Sequence, residues 1–161
     1  MKEAKFEFQY KVYDSIDELP EEQQMLLNKA KEATDKAYAP YSKFKVGAIA
    51  KLANGETISG TNQENASFPV GLCAERVLLS SLSSLYPNVG IDTIAISYKS
   101  ENQVSDHPVS PCGICRQSLQ EFESRVNHPI QFVLGGLTGP VYVIESAGCL
   151  LPLAFTSEEL T

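Results

Sequence analysis

The chain has 161 residues, 43% of them hydrophobic and 20% charged, with a formal net charge of −7; that is length enough for one domain with a real apolar core. The acidic balance, with "KFK" at Lys43 to Lys45 as its main basic cluster, argues against nucleic acid as a partner and for a small ligand. No run approaches the roughly 18 to 20 apolar residues of a membrane span, and "MKEAKFEFQY" lacks a signal peptide's apolar centre, so no membrane partner and a cytoplasmic location are expected.

In chain order, "FEFQYKVYDS" alternates with period 2 and suits an edge strand or an ordered arm, so residues 1–19 are set apart as an N-terminal extension or edge element. The stretch "SIDELPEEQQMLLNKAKEATDKAY" predicts a helix from about Pro20. Proline suits the first turn, acids fill it and lysines come later. Leu26, Leu27, Ala30, Ala33 and Ala37 mark its apolar face. "FKVGAIAKLANGETISGTN" predicts a hairpin around Asn54-Gly55, the pair that a type I′ turn prefers because both central residues take positive φ.

A loop, "NQENASFP", leads to a helix from about Cys73 to Leu85. "IDTIAISY" predicts a short buried strand, followed by a polar loop over 99–109. "PCGICRQSLQEFE" predicts a helix beginning near Pro111, and "PIQFVLG" and "PVYVIES" two further strands, before "LLPLAF" closes the chain. Helices alternating with strands imply a layered α/β domain with helices on both faces of one sheet. Residues 20–161 are therefore expected to form a single domain.

Four cysteines, Cys73, Cys112, Cys115 and Cys149, in a chain expected to stay in a reducing compartment, point to metal binding, thiol chemistry or buried packing. Cys112 and Cys115 form a C-x-x-C in the first turn of a predicted helix. Residues three apart share a helix face, and a helix N-terminus favours thiolate. Cys73 sits at another predicted helix start. Three such thiolates can hold one Zn²⁺ with a fourth place left for water, the usual plan of a catalytic zinc. Cys149, in the apolar "SAGCLLP", is either a fourth ligand or, more commonly for such a thiol, a packed core residue. His107 and His128 both precede proline and stand at helical spacing from no other ligand candidate, so neither is expected to bind metal.

Glu75 lies two residues from Cys73, and on an ideal helix the two would diverge by roughly 200°. The cysteine must therefore sit at the helix boundary if both face one site. A carboxylate beside zinc-activated water can accept its proton and pass it to substrate; the plainer role is complementing the helix dipole. Zn²⁺ with three thiolates carries a net negative charge, which Arg76 would offset, unless it is simply a surface arginine.

With C-A-E-R and P-C-x-x-C together, the chain resembles the cytidine deaminases, in their homotetrameric, zinc-dependent, nucleoside-acting branch. The likeness runs over about residues 38–155. "YAPYSKFKVGA" resembles the family's opening strand, "GTNQENASFPVGLCAER" its ribose loop and zinc helix, "SPCGICRQ" its second metal motif, and "LLPLAF" its closing motif. The first forty residues resemble the family only in the helix. The resemblance implies a three-layer α-β-α sandwich with one mixed five-stranded sheet.

It also implies hydrolytic deamination of cytidine and 2′-deoxycytidine in pyrimidine salvage. One zinc per subunit on Cys73, Cys112 and Cys115 would activate the water that attacks C4, with Glu75 shuttling protons. Phe44, Asn62, Glu64 and Ala74 would bind the nucleoside, and Phe155 would reach in from a neighbouring subunit of a homotetramer whose sites are shared. Arg76, Ser110 and Gln117 would support them from behind. Two departures bear on substrate detail: Phe68 stands where many relatives carry tyrosine, and "GCLLP" lacks the acid many place before the leucines. Rival readings are a deaminase of another aminopyrimidine compound, a structural zinc protein closed by four cysteines, and a polynucleotide deaminase.

Overall fold

The computed structural model describes residues 1–160. Its elements are β1 (Lys11–Tyr13), α1 (Glu21–Ala33), β2 (Phe44–Leu52), β3 (Thr57–Thr61), α2 (Ala74–Leu85), β4 (Ile91–Ser100), α3 (Gly113–Val126), β5 (Gln131–Gly135) and β6 (Val141–Ile144). One sheet holds all six strands in the order β1-β6-β5-β4-β2-β3. Only β4 and β5 run parallel, with α3 as their crossover. The sheet is mixed, as expected, with six strands where five were expected. The added strand is β1, which pairs antiparallel with β6 through Lys11↔Val143 and Tyr13↔Val141.

Three layers follow from which side chains each strand turns to each face. Ile49, Ala95, Val133, Val141 and Val143 pack against Leu26, Leu27, Ala30 and Ala33 of α1. Ala48, Ala50, Ile94, Ile96, Phe132 and Leu134 face α2 and α3, where Leu78, Leu82, Leu119 and Phe122 cover them. Strand β4 is thus buried on both sides, which is why "IDTIAISY" reads as a nearly continuous apolar run rather than an alternating one.

Two local expectations change. The first helix ends at Ala33 and passes into a 3-10 turn over Thr34–Lys36. There the Thr34 hydroxyl donates to the Lys31 carbonyl at 2.6 Å, so Ala37 is extended and lies beyond the helical face. The hairpin is not a two-residue type I′ turn, because of its central pair only Gly55 has positive φ, at 87°. Gly55 N–H donates to the Leu52 carbonyl at 2.8 Å, and Leu52 N–H to the Glu56 carbonyl at 2.9 Å. This is the longer hairpin form, a turn followed by one left-handed glycine.

Candidate active site

Both helices on the α2/α3 side begin at cysteines. Cys73 is the N-cap of α2, with extended φ −73° and ψ 153°, and Cys112 is the N-cap of α3, with φ −68° and ψ 169°. An N-cap residue is outside the helical rotation, which resolves the divergence expected between Cys73 and Glu75. Cys115 lies in the first turn of α3 and is fully buried. The sulfur atoms of Cys73 and Cys112 are 3.7 Å apart, those of Cys112 and Cys115 are 3.4 Å apart, and all three lie within 4.8 Å of one another.

This donor set suits zinc. Tetrahedral Zn²⁺ with bonds of about 2.3 Å to sulfur needs sulfurs roughly 3.8 Å apart, near the spacing already present. Three soft thiolates also favour zinc over harder cations. The Cys73 thiol is drawn down to about 6, chiefly by the hydrogen bond from Cys115, with Cys112 and the charge of Arg76 assisting against the effect of burial. Cys115 moves the opposite way, because it shares its proton with Cys73 and is buried. The hydrogen-bonded sulfurs thus favour a thiolate within the cluster, and metal binding would displace its protons.

Cys149 stands outside the cluster and is half-buried, with its thiol pushed up first by burial. It is a packed thiol, and the four-cysteine arrangement is not formed. His128 contacts Asp92 at 2.8 Å and His107 contacts Asp106 at 3.0 Å; neither joins the sulfurs.

A cavity of about 510 Å³ opens beside Cys73 and Cys112. Glu75 reaches into it from the first turn of α2 while only 5% exposed. Burial raises its pKa, outweighing hydrogen bonds from its own backbone and from Cys115. Ala74, Ser110, Phe44, Asn62 and Glu64 also line the cavity.

The last two are held before any ligand arrives. Asn62 accepts from Val46 N–H at 2.7 Å and donates to the Phe44 carbonyl at 2.8 Å, leaving one lone pair and one N–H. Glu64 accepts from Tyr41 N–H at 2.8 Å and from Ser42 N–H at 3.3 Å. Burial acts to raise its pKa, yet a hydrogen bond from the Ser42 side chain, these backbone bonds and the charge of Lys43 bring it down on balance.

Three of the named residues, none of them expected on this subunit's own cavity wall, lie outside it. Phe155 is 58% exposed and does not line the cavity; Gln117 donates to its backbone carbonyl at 2.9 Å. Arg76 lines a groove between α2 and α3 beside Arg125 and acts on Cys73 through its charge. The sequence reading passed over Arg116, which follows Cys115 directly. Its guanidinium donates to the carbonyls of Pro111 at 2.8 Å and Leu150 at 3.1 Å, tying the start of α3 to the C-terminal segment. A second arginine adjoining a metal motif was the available signal.

Residues 20–128 match the cytidine and deoxycytidylate deaminase zinc-binding region. The chain is 37% identical over 139 residues to the cytidine deaminase of Halalkalibacterium halodurans, covering 86% of this chain and 98% of that protein. It is 37% identical over 138 residues to that of Sporosarcina psychrophila, covering 84% and 93%. Among solved structures it is similar to the cytidine deaminase of Burkholderia pseudomallei, with a TM-score of 0.69 and 41% identity over 81% of this chain and 97% of that one.

Proposed function

The chain belongs to the cytidine and deoxycytidylate deaminase zinc-binding family, and on that premise we propose that it hydrolyses cytidine and 2′-deoxycytidine to uridine and 2′-deoxyuridine with release of ammonia. One observation carries the reading. A buried carboxylate and two of three clustered sulfurs line one cavity together with an aromatic ring, an amide and a second carboxylate.

One zinc per subunit, held by Cys73, Cys112 and Cys115, supplies the Lewis acidity that makes water reactive near neutral pH. Glu75 moves the protons. Its raised pKa suits it to accept one from the attacking water and to return protons to ring N3 and to the departing amine. Oxygen from water is added at C4 and the exocyclic nitrogen leaves as ammonia, so the reaction balances without a redox partner. Phe44 offers its ring to the pyrimidine. The free capacity of Asn62 and the acceptor oxygens of Glu64 suit the sugar hydroxyls. Ala74 and Ser110 orient the base, Arg76 offsets the negative charge of the thiolates, and Gln117 secures the segment bearing Phe155.

The active unit is a homotetramer with shared sites. Tyr41 and Phe68 form an exposed aromatic pair at the cavity rim, with ring centroids 5.8 Å apart, and a neighbour's Phe155 would cover the base there. Residues 1–19 are the N-terminal extension or edge element of the domain at 20–161, with β1 joining the sheet edge, and the exposed Phe6, Phe8 and Tyr10 suit a subunit surface. Pyrimidine salvage is the role such a reaction would serve, and a cytoplasmic location agrees with four free cysteines, which a reducing compartment preserves. Among the described residues no helix is long and apolar enough to cross a membrane.

The test is the ultraviolet change on adding cytidine to zinc-loaded protein. Glu75→Gln should lower turnover by at least about 10²-fold with zinc content unchanged. A wild-type protein that leaves cytidine intact would sink the reading, and sedimentation of the active species checks the tetramer.

A further inference from the structure

Behind Phe44 lies a second ring that the chemistry above does not use. Tyr98 is fully buried on β4 and stacks on Phe44, with ring centroids 4.9 Å apart and planes 17° from parallel. The sheet sets this contact. Tyr98 pairs with Val46 across β2 and β4, so Phe44 is its diagonal neighbour on the same face, within reach of a large side chain. The Tyr98 hydroxyl lies 3.3 Å from Nδ1 and 3.5 Å from Nε2 of His107, with Nδ1 also 3.0 Å from Asp106 Oδ1, and the His107 ring meets Tyr98 edge-on at 5.7 Å.

His107 is itself held in place. Ser105, in the same loop, accepts from Ser100 N–H through its hydroxyl at 3.0 Å and from Leu137 N–H through its carbonyl at 2.7 Å. A Cβ on Gly136 would fall 2.4 Å from the Ser105 carbonyl oxygen, and one on Gly139 would fall 2.0 Å from that of Asp106. Two glycines therefore allow the loop to seat against its neighbour, and the same loop continues into Val109 and Ser110 of the cavity wall.

We propose that Tyr98, tethered through its hydroxyl to His107, is a positioning residue that holds the Phe44 ring as a preformed stacking wall for the pyrimidine. The inference rests on the cavity being a nucleoside site. Asn62 fixes the backbone of Phe44 at its carbonyl, but only a packed neighbour can fix the ring. An aromatic partner holds it parallel through offset stacking. A base docking on the other side then meets an ordered surface and loses less freedom on binding. Burying a tyrosine requires a partner for its hydroxyl, and His107 supplies it.

Steady-state kinetics with cytidine test this on the zinc-loaded full chain. Tyr98→Leu keeps apolar bulk and removes the flat ring. It should raise KM about three- to tenfold with kcat within about threefold, the pattern of lost ground-state binding. Tyr98→Phe keeps the stack but loses the tether, so its KM should fall back to about twofold above wild type, the same rise as in His107→Ala. In the double variant with Phe44→Leu, Tyr98→Leu should add nothing further to KM, since both act through one ring.

An unchanged KM in a folded, zinc-replete Tyr98→Leu protein overturns the proposal, as does an additive double variant. If Tyr98→Leu does not fold, His107→Ala on the exposed side of the loop decides. A KM rise of about twofold supports the tether, and no rise overturns it. Wild-type protein inert towards cytidine would defeat the activity reading and this inference with it. Active wild type with an indifferent Tyr98 defeats this inference alone.

Discussion

Gly60→Ala is a one-carbon substitution with a large expected consequence. Gly60 lies on β3 opposite Ala48, directly beneath α2. A Cβ there would fall 2.2 Å from the Ala74 carbonyl oxygen, 2.5 Å from Leu78 N and 2.8 Å from Leu78 Cβ, where ordinary contact begins at 3.4 Å. Two of these three atoms are backbone and cannot rotate aside, so α2 must retreat by about 1.2 Å, the difference between 3.4 and 2.2 Å.

Overpacking of this kind costs about 1–3 kcal/mol, and the loss of glycine's unfolded-state freedom returns roughly 0.4–1 kcal/mol. The net cost should be about 1.3 kcal/mol, or roughly 3–5 °C in Tm for a chain of this length. The displaced residues include Cys73 and Glu75, while Cys112 and Cys115 stay with α3. A misplacement of about 1 Å at a reacting centre can cost roughly 10²-fold in rate, so kcat/KM should fall by more than the stability loss explains. Thermal melts and cytidine turnover measured well below Tm separate the two effects. Gly113→Ala is the control for stability, because nothing lies within 4 Å of its added Cβ. A Gly60→Ala protein with wild-type Tm and turnover would refute the backbone contact between β3 and α2.

Glu123 accepts from Ser146 Oγ at 2.6 Å, Ile130 N–H at 2.7 Å and Ala147 N–H at 2.8 Å. Glu123→Gln turns one of these acceptors into a donor and should cost about 2–3 kcal/mol, read as a Tm loss of roughly 4–12 °C. Turnover at low temperature should stay within about threefold, because Glu123 does not line the cavity; an unchanged Tm would show that the carboxylate carries no such load. Removing metal with a chelator should abolish turnover, lower Tm because zinc binds the folded state preferentially, and restore both on adding zinc back. Alkylation of the metal-free protein should reach Cys112 and Cys73 before Cys115, which is fully buried; turnover that survives chelation would contradict the metal assignment.

The parts of this molecule legible in the sequence are those whose cause is local. Cys73, Glu75, Cys112 and Cys115 announce themselves because a helix start places residues a few positions apart into one small volume, and the chemistry needs those residue types there. The alternation in "FEFQYKVY" likewise held enough information for an extended segment, though not for how much of it pairs. Only Lys11–Tyr13 finds a neighbour in β6. The hairpin shows the limit of a dipeptide signal. Asn54-Gly55 marks where the chain turns, but the pairing of Leu52 with Glu56 decides how, and with it which residue takes positive φ.

What stayed hidden depends on contacts between residues far apart in sequence. Asn62 read as a ligand-facing amide, and its side chain also staples the start of β2. That second task requires β2 and β3 in register, which no single loop residue reveals. Arg116 reaches Leu150 across 34 residues, and Tyr98 reads from its strand as one more buried aromatic. Its stacking on Phe44 exists only because the antiparallel β2–β4 pair places them diagonally on the face that carries both metal helices. The reactive groups thus came from two short motifs, whereas the surfaces that present substrate to them came from sheet register. Substitutions that spare every motif residue but shift register or helix seating should therefore alter substrate binding before they alter metal content.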